Sequence, residues 1–374
     1  MKTKGAVLWE IGGEWVVDEI EVGGPREGEV TVELAASGLC HSDFHLVTGD
    51  IPIEVPVLGG HEGAGIVTKV GPGVTFVSEG DRVVTSFIPA CGMCPPCASG
   101  HQNLCDLGRY LLSGESIADQ SFRVQSRGTD VRQMSLLGTF SPYITVHQAS
   151  VIKIDDGIDL TTAALLGCGV ATGWGSATRV GDVRPGETVV VLGVGGVGIN
   201  AVQGAKAAGA SRVIAIDPIA AKRECAMDFG ATHTFASAND AQAAINELTW
   251  GRMAHKVIIT VGEMKGEYVQ QALDLTAKGG RVVVTAMGDA ALSDVQLNLF
   301  EFTLLEKDLR GAIFGGCNPR FEVPQLVSHY RDGLLRLDGL ATSTYKLEEV
   351  NLGYQHMHEG RNLRGIIEYT SADR

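Results

Sequence analysis

Apolar and polar positions alternate along much of residues 1–150, which is the pattern of strands with one buried face. Glu29–Leu34 places an apolar side chain at every second position, and Gly65–Val70 and Asp81–Thr85 are similar short runs rich in β-branched residues. Turn sequences such as Gly71-Pro72-Gly73 separate these runs. The pattern predicts a first region that is mostly β.

The pattern changes near residue 185, where strand-like segments begin to alternate with helical ones. Glu187–Leu192 and Arg212–Asp217 are predicted strands, and Gly196–Ala208 and Ala220–Phe229 are predicted helices. Further strands are expected at His233–Phe235, Lys256–Thr260, Gly280–Ala286, Leu309–Phe314 and Gly365–Tyr369. Such alternation predicts a parallel sheet covered by helices on both faces.

The sequence therefore predicts an α/β protein with two domains, as its length of 374 residues also suggests. A β-rich domain is expected from residues 1–170 and 312–374. A doubly wound domain with a parallel sheet is expected from residues 171–311, inserted between the two parts of the first.

Composition narrows the choice of partners. Lys and Arg total 30 against 44 Asp and Glu, a formal charge of −14, so neither nucleic acid nor an anionic membrane is expected as a partner. No apolar run approaches the roughly 18 residues of a membrane helix, and the N-terminal residues show no signal sequence, so we expect a cytoplasmic protein. In a reducing compartment, the eight cysteines are better explained as including metal ligands than as disulfides.

A glycine-rich turn joins the first strand and helix of the second region. Gly193-Val194-Gly195-Gly196-Val197-Gly198 fits the G-x-G-x-x-G pattern, and Asp217 ends the next strand. The first glycine would form a tight turn, the second would let a pyrophosphate approach the backbone at the helix N-terminus, and the last would let helix and strand pack closely. Asp217 would bind the adenosine ribose and repel a 2′-phosphate, and Pro218 rather than Arg follows it, so NAD is favoured over NADP.

Four cysteines within fifteen residues could close a tetrahedral metal site, namely Cys91, Cys94, Cys97 and Cys105. Zinc is the default metal for four thiolates. An iron–sulfur cluster is the alternative, but the ferredoxin spacing ends with three residues and then Pro, whereas here seven residues precede Cys105 and Asp106 follows it. Four thiolates leave no position open for a substrate, so this site is predicted to be structural.

A second candidate metal site is scattered along the chain. Cys40 opens the segment Cys40-His41-Ser42-Asp43-Phe44-His45, His61-Glu62 follows Gly60 in a turn between β runs, and Cys168 precedes the cofactor region. Two thiolates and one imidazole would leave the fourth position of a zinc ion for water or a substrate oxygen. Taken singly, such residues are more often packed thiols and surface imidazoles.

Together these motifs closely resemble the zinc-containing medium-chain alcohol dehydrogenases, nearly end to end, with further matches at Leu166–Ala177 and Gly311–Gly316. The resemblance implies a GroES-like catalytic domain and a Rossmann cofactor domain. It implies NAD(H), two zinc ions per chain, one catalytic and one structural, and a homo-oligomer, dimer or tetramer. The implied reaction is reversible hydride transfer between a small alcohol and NAD, which gives an aldehyde or ketone.

The resemblance also implies roles around the catalytic zinc. The metal would be held by three ligands, Cys40, His61 and Cys168. Glu62 would lie behind the metal, and Asp43 would orient His61. Zinc would act as a Lewis acid on the alcohol. Ser42 and His45 would carry the alcohol proton towards water through the cofactor ribose. A turn hydroxyl and a surface imidazole are the alternative explanations of these two residues.

Other residues would contact the cofactor. The resemblance implies that Arg364 reaches the pyrophosphate and that Lys222 joins Asp217 at the adenosine ribose. Many relatives carry Arg on the pyrophosphate at the position of His41, so phosphate binding here would depend on pH.

The segment 109–137 differs from the common liver-type sequence and resembles the nicotinoprotein branch found in actinobacteria, the NDMA-dependent alcohol dehydrogenases. Members of that branch hold NAD(H) without release and pass electrons to another acceptor. The resemblance therefore suggests an external electron acceptor as a partner.

Other functions compete with this interpretation. Arg109 lies near the anion-binding arginine of glutathione-dependent formaldehyde dehydrogenases, so a thiol-dependent formaldehyde dehydrogenase is the runner-up, although an ordinary surface arginine explains Arg109 equally well. A non-catalytic zinc-stabilised binding module would not need every catalytic position occupied, and a zinc-free quinone reductase conflicts with both ligand sets. The sequence does not specify the alcohol; Phe87, Leu111 and Leu137 suggest only an apolar pocket.

Overall fold

The computed structural model describes residues 1–373, which divide into two compact units. The first unit contains residues 1–168, 318–333 and 337–373, and the second contains residues 169–317 and 334–336. The short piece 334–336 belongs to the second unit because the side chain of Gln203 accepts a hydrogen bond from the backbone N–H of Arg336 (2.8 Å) and donates one to its carbonyl (3.0 Å).

Strands dominate the first unit and alternate with helices in the second. The first unit begins with β1 (Lys2–Leu8), β2 (Trp15–Val22), β3 (Glu29–Leu39), β4 (Val57–Leu58), β5 (Glu62–Val70), β6 (Arg82–Thr85), β7 (Val124–Ser126), β8 (Thr129–Gln133), β9 (Tyr143–His147) and β10 (Val151–Lys153). The second unit contains β11 (Thr188–Leu192), β12 (Arg212–Ile216), β13 (His233–Phe235), β14 (Ala254–Ile259), β15 (Thr276–Val284) and β16 (Asp308–Gly311). The chain returns to the first unit with β17 (Ala341–Tyr345) and β18 (Arg364–Glu368).

The α-helices connect these strands. They are α1 (His41–Thr48), α2 (Pro95–Ala98), α3 (Leu160–Ala164), α4 (Gly169–Gly175), α5 (Gly198–Ala207), α6 (Ala220–Asp228), α7 (Ala238–Leu248), α8 (Glu267–Asp274), α9 (Leu299–Leu304), α10 (Pro319–Arg331) and α11 (Val350–His358). Within residues 1–373, no helix has the length and apolar character needed to cross a membrane.

Strand β3 organises the first unit because its two halves pair with different neighbours. Its first half pairs with β9 and its last residues pair with β18, while β5 runs antiparallel along its other side. The resulting sheet has the order β10-β6-β5-β3-β18-β17, and β1, β2, β7, β8 and β4 close a barrel. The buried core includes Val32, Leu34 and Phe140.

The second unit is a parallel sheet in the order β13-β12-β11-β14-β15-β16. Its central strand β11 is buried along its whole length and apolar after Thr188, as a sheet with both faces covered requires. Helix α5 packs against β11 and β12, and α8 packs against β14 and β15. The α/β fold class expected from the sequence is confirmed.

One predicted strand ends early. The sequence pattern predicts a strand over Leu309–Phe314, but β16 stops at Gly311 and a short 3-10 turn covers Ile313–Gly316. Phe314 and Gly315 both have positive φ, and a Cβ on Gly315 would lie 2.3 Å from the carbonyl oxygen of Thr172. Close packing against the backbone of α4 therefore requires glycine here, which an apolar run does not reveal.

Candidate metal and cofactor sites

Three neighbouring strands end at one point in the first unit. Gly38, near the end of β3, pairs with Glu62 of β5 on one side and with Ile366 of β18 on the other. Because both partners run antiparallel to β3, the residue after β3 and the residues that begin β5 and β18 meet there. A Cβ on Gly38 would lie 2.2 Å from Glu62 Oε2, so this glycine leaves room for the carboxylate.

Four buried side chains converge at this point. One ligand atom from each of Cys40, His61, Glu62 and Cys168 lies within 4.8 Å of every other. Cys40 precedes α1, and Cys168 follows a helical turn just before α4. The structure thus brings together the three ligands expected from the sequence, across 128 positions of the chain (168 − 40).

Asp43 connects the start of α1 to His61. Its Oδ2 accepts hydrogen bonds from the backbone N–H of Cys40 (3.0 Å) and the hydroxyl of Tyr354 (2.9 Å), and its Oδ1 lies 2.8 Å from His61 Nδ1. Because a carboxylate can only accept, His61 Nδ1 carries the proton and Nε2 is left as the nitrogen that can bind a metal. Tyr354 was not expected from the sequence, since nothing near residue 354 indicates a contact 311 positions away.

The ionisable side chains in this cluster shift one another's pKa values. A hydrogen bond from Cys168 lowers the pKa of the Cys40 thiol well below its usual value, against the effect of burial. Burial alone would lower the pKa of His61, but the nearby Asp43 carboxylate and Cys40 thiolate outweigh it and raise that pKa. These shifts favour a thiolate on Cys40, which is the form in which cysteine binds metals.

Arg364 forms a buried ion pair with Glu62. Burial raises the pKa of Glu62 to about 7, although the guanidinium of Arg364 works in the opposite direction. The structure therefore places Arg364 against the Glu62 carboxylate, beside the candidate metal ligands. Its Nε is buried and has no protein partner among residues 1–373.

The other residues of the segment Cys40–His45 lie along α1. Ser42 Oγ is 3.8 Å from Cys40 Sγ, which places this hydroxyl beside the metal ligands. His45 is buried, so it is not a surface imidazole, and its Nδ1 lies 2.6 Å from Asp50 Oδ2. The ring of His41 packs edge-on against that of His45, with centroids 5.1 Å apart. No role for Asp50 was predicted from the sequence, although it follows His45 by only five residues.

The four-cysteine loop forms a second cluster of sulfur atoms. The Sγ atoms of Cys91 and Cys97 are 3.9 Å apart, and those of Cys94 and Cys105 are 3.8 Å apart. Backbone N–H groups of Met93 and Cys94 point at the Cys91 sulfur, at 3.4 and 3.3 Å. N–H groups that surround sulfur in this way stabilise thiolates.

The glycine-rich turn has the geometry expected from its sequence. Gly193 has φ +84°, and a Cβ on Gly198 would lie 1.9 Å from the carbonyl oxygen of Gly193, so neither position accepts a side chain. A Cβ on Gly195 would meet nothing within 4 Å. Space beside Gly195 is therefore open to a ligand that approaches the backbone at the start of α5.

Asp217 lies directly beside this turn. Its carboxylate accepts hydrogen bonds from the N–H groups of Val194 (3.0 Å) and Ile219 (2.9 Å). Lys222 lies on α6, and its neighbour Arg223 donates to the carbonyl oxygens of Asp217 (2.7 Å) and Pro218 (2.9 Å). Arg223 was not expected from the sequence, because a helical arginine usually lies on a solvated face.

The candidate pocket residues occupy different environments. Phe87 lies edge-on to the ring of His61, with centroids 5.7 Å apart. Leu137 is completely buried in the core of the first unit. Leu111 is partly exposed at the end of a 3-10 turn. Phe87 thus contacts one of the candidate metal ligands.

Comparison with known proteins agrees with this geometry. A family model described as an alcohol dehydrogenase GroES-like domain matches residues 26–156, and one described as a zinc-binding dehydrogenase matches residues 196–330. The chain is 55% identical to alcohol dehydrogenase B of Mycobacterium tuberculosis over 375 residues, which covers 100% of both chains. The chain belongs to the zinc-containing alcohol dehydrogenase family.

Two further relatives refine the placement within the alcohol dehydrogenases. The chain is 51% identical to the NDMA-dependent alcohol dehydrogenase of Amycolatopsis methanolica, over 99% of this chain and 100% of that one. Its fold superposes on the crystal structure of benzyl alcohol dehydrogenase from Acinetobacter calcoaceticus with a TM-score of 0.91, 28% identity, and coverage of 99% and 100%. The resemblance to the actinobacterial branch is confirmed, and the protein is an alcohol dehydrogenase, an oxidoreductase.

Proposed function

We propose that this alcohol dehydrogenase transfers hydride reversibly between a small alcohol and NAD, with one catalytic and one structural zinc ion per chain. The observation that carries the proposal is the buried convergence of Cys40, His61, Glu62 and Cys168 on one point. Two thiolates and an imidazole are the ligands that alcohol dehydrogenases are known to use for catalytic zinc. The first unit would be the catalytic domain and the second the cofactor domain.

The donor atoms fit zinc at both clusters. With Zn–S bonds of about 2.3 Å, sulfur atoms at the corners of a tetrahedron lie about 3.8 Å apart. The Cys91–Cys97 and Cys94–Cys105 separations of 3.9 and 3.8 Å match this value. The other cluster offers Cys40, His61 and Cys168, with Glu62 held back by Arg364, which would leave one position open.

Bound zinc would supply a Lewis acid that makes an alcohol hydroxyl more acidic. Asp43 would fix His61 with its proton on Nδ1, and the Glu62–Arg364 pair would balance charge behind the ligands. Ser42, whose hydroxyl lies beside Cys40, would accept the alcohol proton and pass it towards His45. In this proposal, the burial of His61 and the edge-on contact of Phe87 with its ring would limit the access of water.

The second unit supports NAD as the cofactor. The open space beside Gly195 would admit the pyrophosphate, and the N-terminus of α5 would attract its negative charge. Asp217 would accept hydrogen bonds from the adenosine ribose and disfavour a 2′-phosphate, with Lys222 nearby. The family resemblance also implies phosphate contacts for His41 and Arg364.

We also propose that NAD(H) stays bound and is reoxidised by an external acceptor. The support is the 51% identity to an NDMA-dependent alcohol dehydrogenase over almost the whole chain. Arg109 is exposed and lies over the ring of its own neighbour Tyr110, at 4.7 Å, so its contacts do not favour a thiol-adduct substrate. A cytoplasmic homo-oligomer is expected from the resemblance.

Metal content and cofactor release test this proposal together. Purified protein should contain about two zinc ions per chain and should release NAD(H) on denaturation, and it should oxidise alcohols with an artificial acceptor but not with free NAD. The Cys168→Ser variant should lose one zinc ion and the activity. The Cys225→Ser variant is the matched control, because Cys225 lies on α6 outside both sulfur clusters.

The outcomes separate the parts of the proposal. One zinc ion per wild-type chain would contradict the catalytic site. Turnover with free NAD and no retained cofactor would contradict tight cofactor binding but not the reaction. Formaldehyde oxidation that depends on an added thiol would favour the alternative substrate class.

A further inference from the structure

His45 and Asp50 form a hydrogen-bonded pair at the end of α1. His45 Nδ1 lies 2.6 Å from Asp50 Oδ2, and the hydroxyl of Thr48 donates to the same oxygen at 2.7 Å. Only 4% of the His45 side chain is exposed, against 24% of the Asp50 side chain. The pair therefore has a buried imidazole at one end and a partly hydrated carboxylate at the other.

The turn after α1 brings these two residues together. Gly49 has φ +83°, which reverses the chain after the last helical turn. The N–H of Ile51 then donates to the carbonyl of His45, at 3.2 Å. The turn thereby places Asp50 against the imidazole of His45, five positions earlier in the chain.

Simple hydrogen-bond chemistry fixes the roles within the pair. Hydrogen bonds from His45 and Thr48 lower the pKa of Asp50, so its carboxylate is ionised at neutral pH and can only accept. Nδ1 of His45 must then be the donor, which leaves Nε2 as the nitrogen that can take up a proton. A carboxylate on Nδ1 also stabilises the imidazolium that forms when Nε2 is protonated.

We propose that Asp50 is a positioning residue of the proton relay: it holds His45 in the tautomer whose Nε2 accepts the proton released by the alcohol. This inference rests on the proposed alcohol oxidation. In the step itself, the alcohol O–H bond breaks and an Nε2–H bond forms, while the hydride leaves separately to NAD. The imidazolium then returns the Nε2 proton to water and recovers its starting tautomer.

Other titratable groups lie near this pair, and their protonation would also affect how the proton relay depends on pH. His41 lies on the same helix with its ring edge-on to His45, and His358 at the end of α11 lies 5.8 Å from the ring of His41. A positive charge on His41 would oppose protonation of His45. Asp50 supplies the negative charge that offsets it.

The test compares Asp50→Asn with Asp50→Glu and Thr48→Val. Asparagine keeps the shape but removes the charge, glutamate restores the charge, and valine removes only the hydroxyl that holds Asp50. Two properties are measured in each variant. They are the pH profile of alcohol oxidation and the pKa of His45 by NMR titration.

Asp50→Asn should lower the maximal rate about 10- to 100-fold, the scale of a disturbed general base. It should also lower the pKa of His45, so the acid side of the pH profile moves to lower pH. Asp50→Glu should recover part of the rate. Thr48→Val should lose less activity than Asp50→Asn, because the carboxylate keeps its hydrogen bond from His45. Zinc and cofactor content should be unchanged in every variant.

The outcomes distinguish this inference from the proposed function. An Asp50→Asn enzyme with the wild-type rate and an unshifted His45 pKa would overturn it. So would equal losses in the Asn and Glu variants, because those would indicate a purely structural role. If the wild-type protein oxidises no alcohol, the proposed function fails, while the NMR titration still decides whether Asp50 controls His45.

Discussion

Asp43 accepts three hydrogen bonds in a fully buried position, and two of them come from elements far apart in the chain. The Tyr354 hydroxyl lies on α11, and His61 lies at the start of β5. Removing a carboxylate that orients a metal-bound histidine typically costs about 10- to 100-fold in metal affinity or activity. Tyr354 would therefore support the proposed metal site through Asp43 without touching the ligands.

We predict that Tyr354→Phe releases catalytic zinc to a chelator about 10-fold faster than wild type. It should also lower the free energy of unfolding by about 1.5–3 kcal/mol, the scale of a hydrogen bond to a charged group. Zinc release can be followed with a chromogenic chelator, and stability by urea unfolding.

Tyr330→Phe is the matched control for this change. The Tyr330 hydroxyl also donates to a carboxylate, that of Asp338 at 2.9 Å, but at an exposed position away from the metal cluster. Equal zinc release from both variants would show that Tyr354 has no special connection to the site.

At the scale of single elements, the glycines in the turn between β11 and α5 have two different roles. Some are needed for folding, and one leaves space for a ligand. Gly198 packs against the carbonyl oxygen of Gly193, whereas the space next to Gly195 is open. An alanine substitution should therefore affect cofactor binding at Gly195 and folding at Gly198.

We predict that Gly195→Ala folds with nearly wild-type stability but loses bound NAD(H), since the added methyl group occupies the space proposed for the pyrophosphate. Gly198→Ala should lower the yield or stability of folded protein. The measurements are urea unfolding and the amount of NAD(H) released on denaturation. Full cofactor content in Gly195→Ala would contradict the assignment of this turn.

The segment that differs from liver-type sequences is tied to β3 by a buried arginine. Arg123 Nε donates to Glu29 (2.8 Å) and its Nη2 donates to Asp119 (2.8 Å). Burial alone would raise the pKa of Asp119, but hydrogen bonds from Arg123, Ser121 and Arg26 outweigh it and lower that pKa. The folded pKa thus lies below the unfolded one, so this stabilisation is present above about pH 4 and is lost as the pH falls further.

We predict that Arg123→Met lowers the free energy of unfolding by about 3–5 kcal/mol at neutral pH, because it leaves Glu29 buried without its partner. Arg26→Met is the control: Arg26 pairs with the same Asp119, but 60% of its side chain is exposed, against 2% for Arg123. The control should lose less than about 1 kcal/mol. Equal losses in urea unfolding would mean that burial of the pair does not matter.

The periodicity of apolar residues predicted strands and helices best where local sequence signals determine them. The strands and helices around Gly193–Gly198 agree with the sequence within a few residues, because apolar runs and glycine turns are local signals. Asp50, Tyr354 and Arg223 could not be found in this way. Tyr354 contacts a residue 311 positions away. Asp50 and Arg223 contact residues only five and six positions away, but through turns whose geometry apolar periodicity does not specify. The end of β16 depends on packing against α4.

At the scale of the whole molecule, the first unit is assembled from both ends of the chain. Strand β18 pairs with β3, and it carries Arg364 to the Glu62 carboxylate of β5. The sequence motifs predicted a ligand set of Cys40, His61 and Cys168, and the folded chain brings these residues together. The ion pair between Glu62 and Arg364 became apparent only in the folded chain. Both ends are thus needed to complete the charge balance of the site.

The central claim, hydride transfer from an alcohol to NAD held by this chain, can be measured in one turnover. The purified protein, with its retained cofactor oxidised, is mixed with an alcohol deuterated at the carbinol carbon, without any other acceptor, and the cofactor is then released and weighed by mass spectrometry. We expect reduced cofactor that carries one deuterium, and an amount of aldehyde or ketone equal to it. Unlabelled cofactor with no carbonyl product, from protein that contains two zinc ions per chain, would contradict the account.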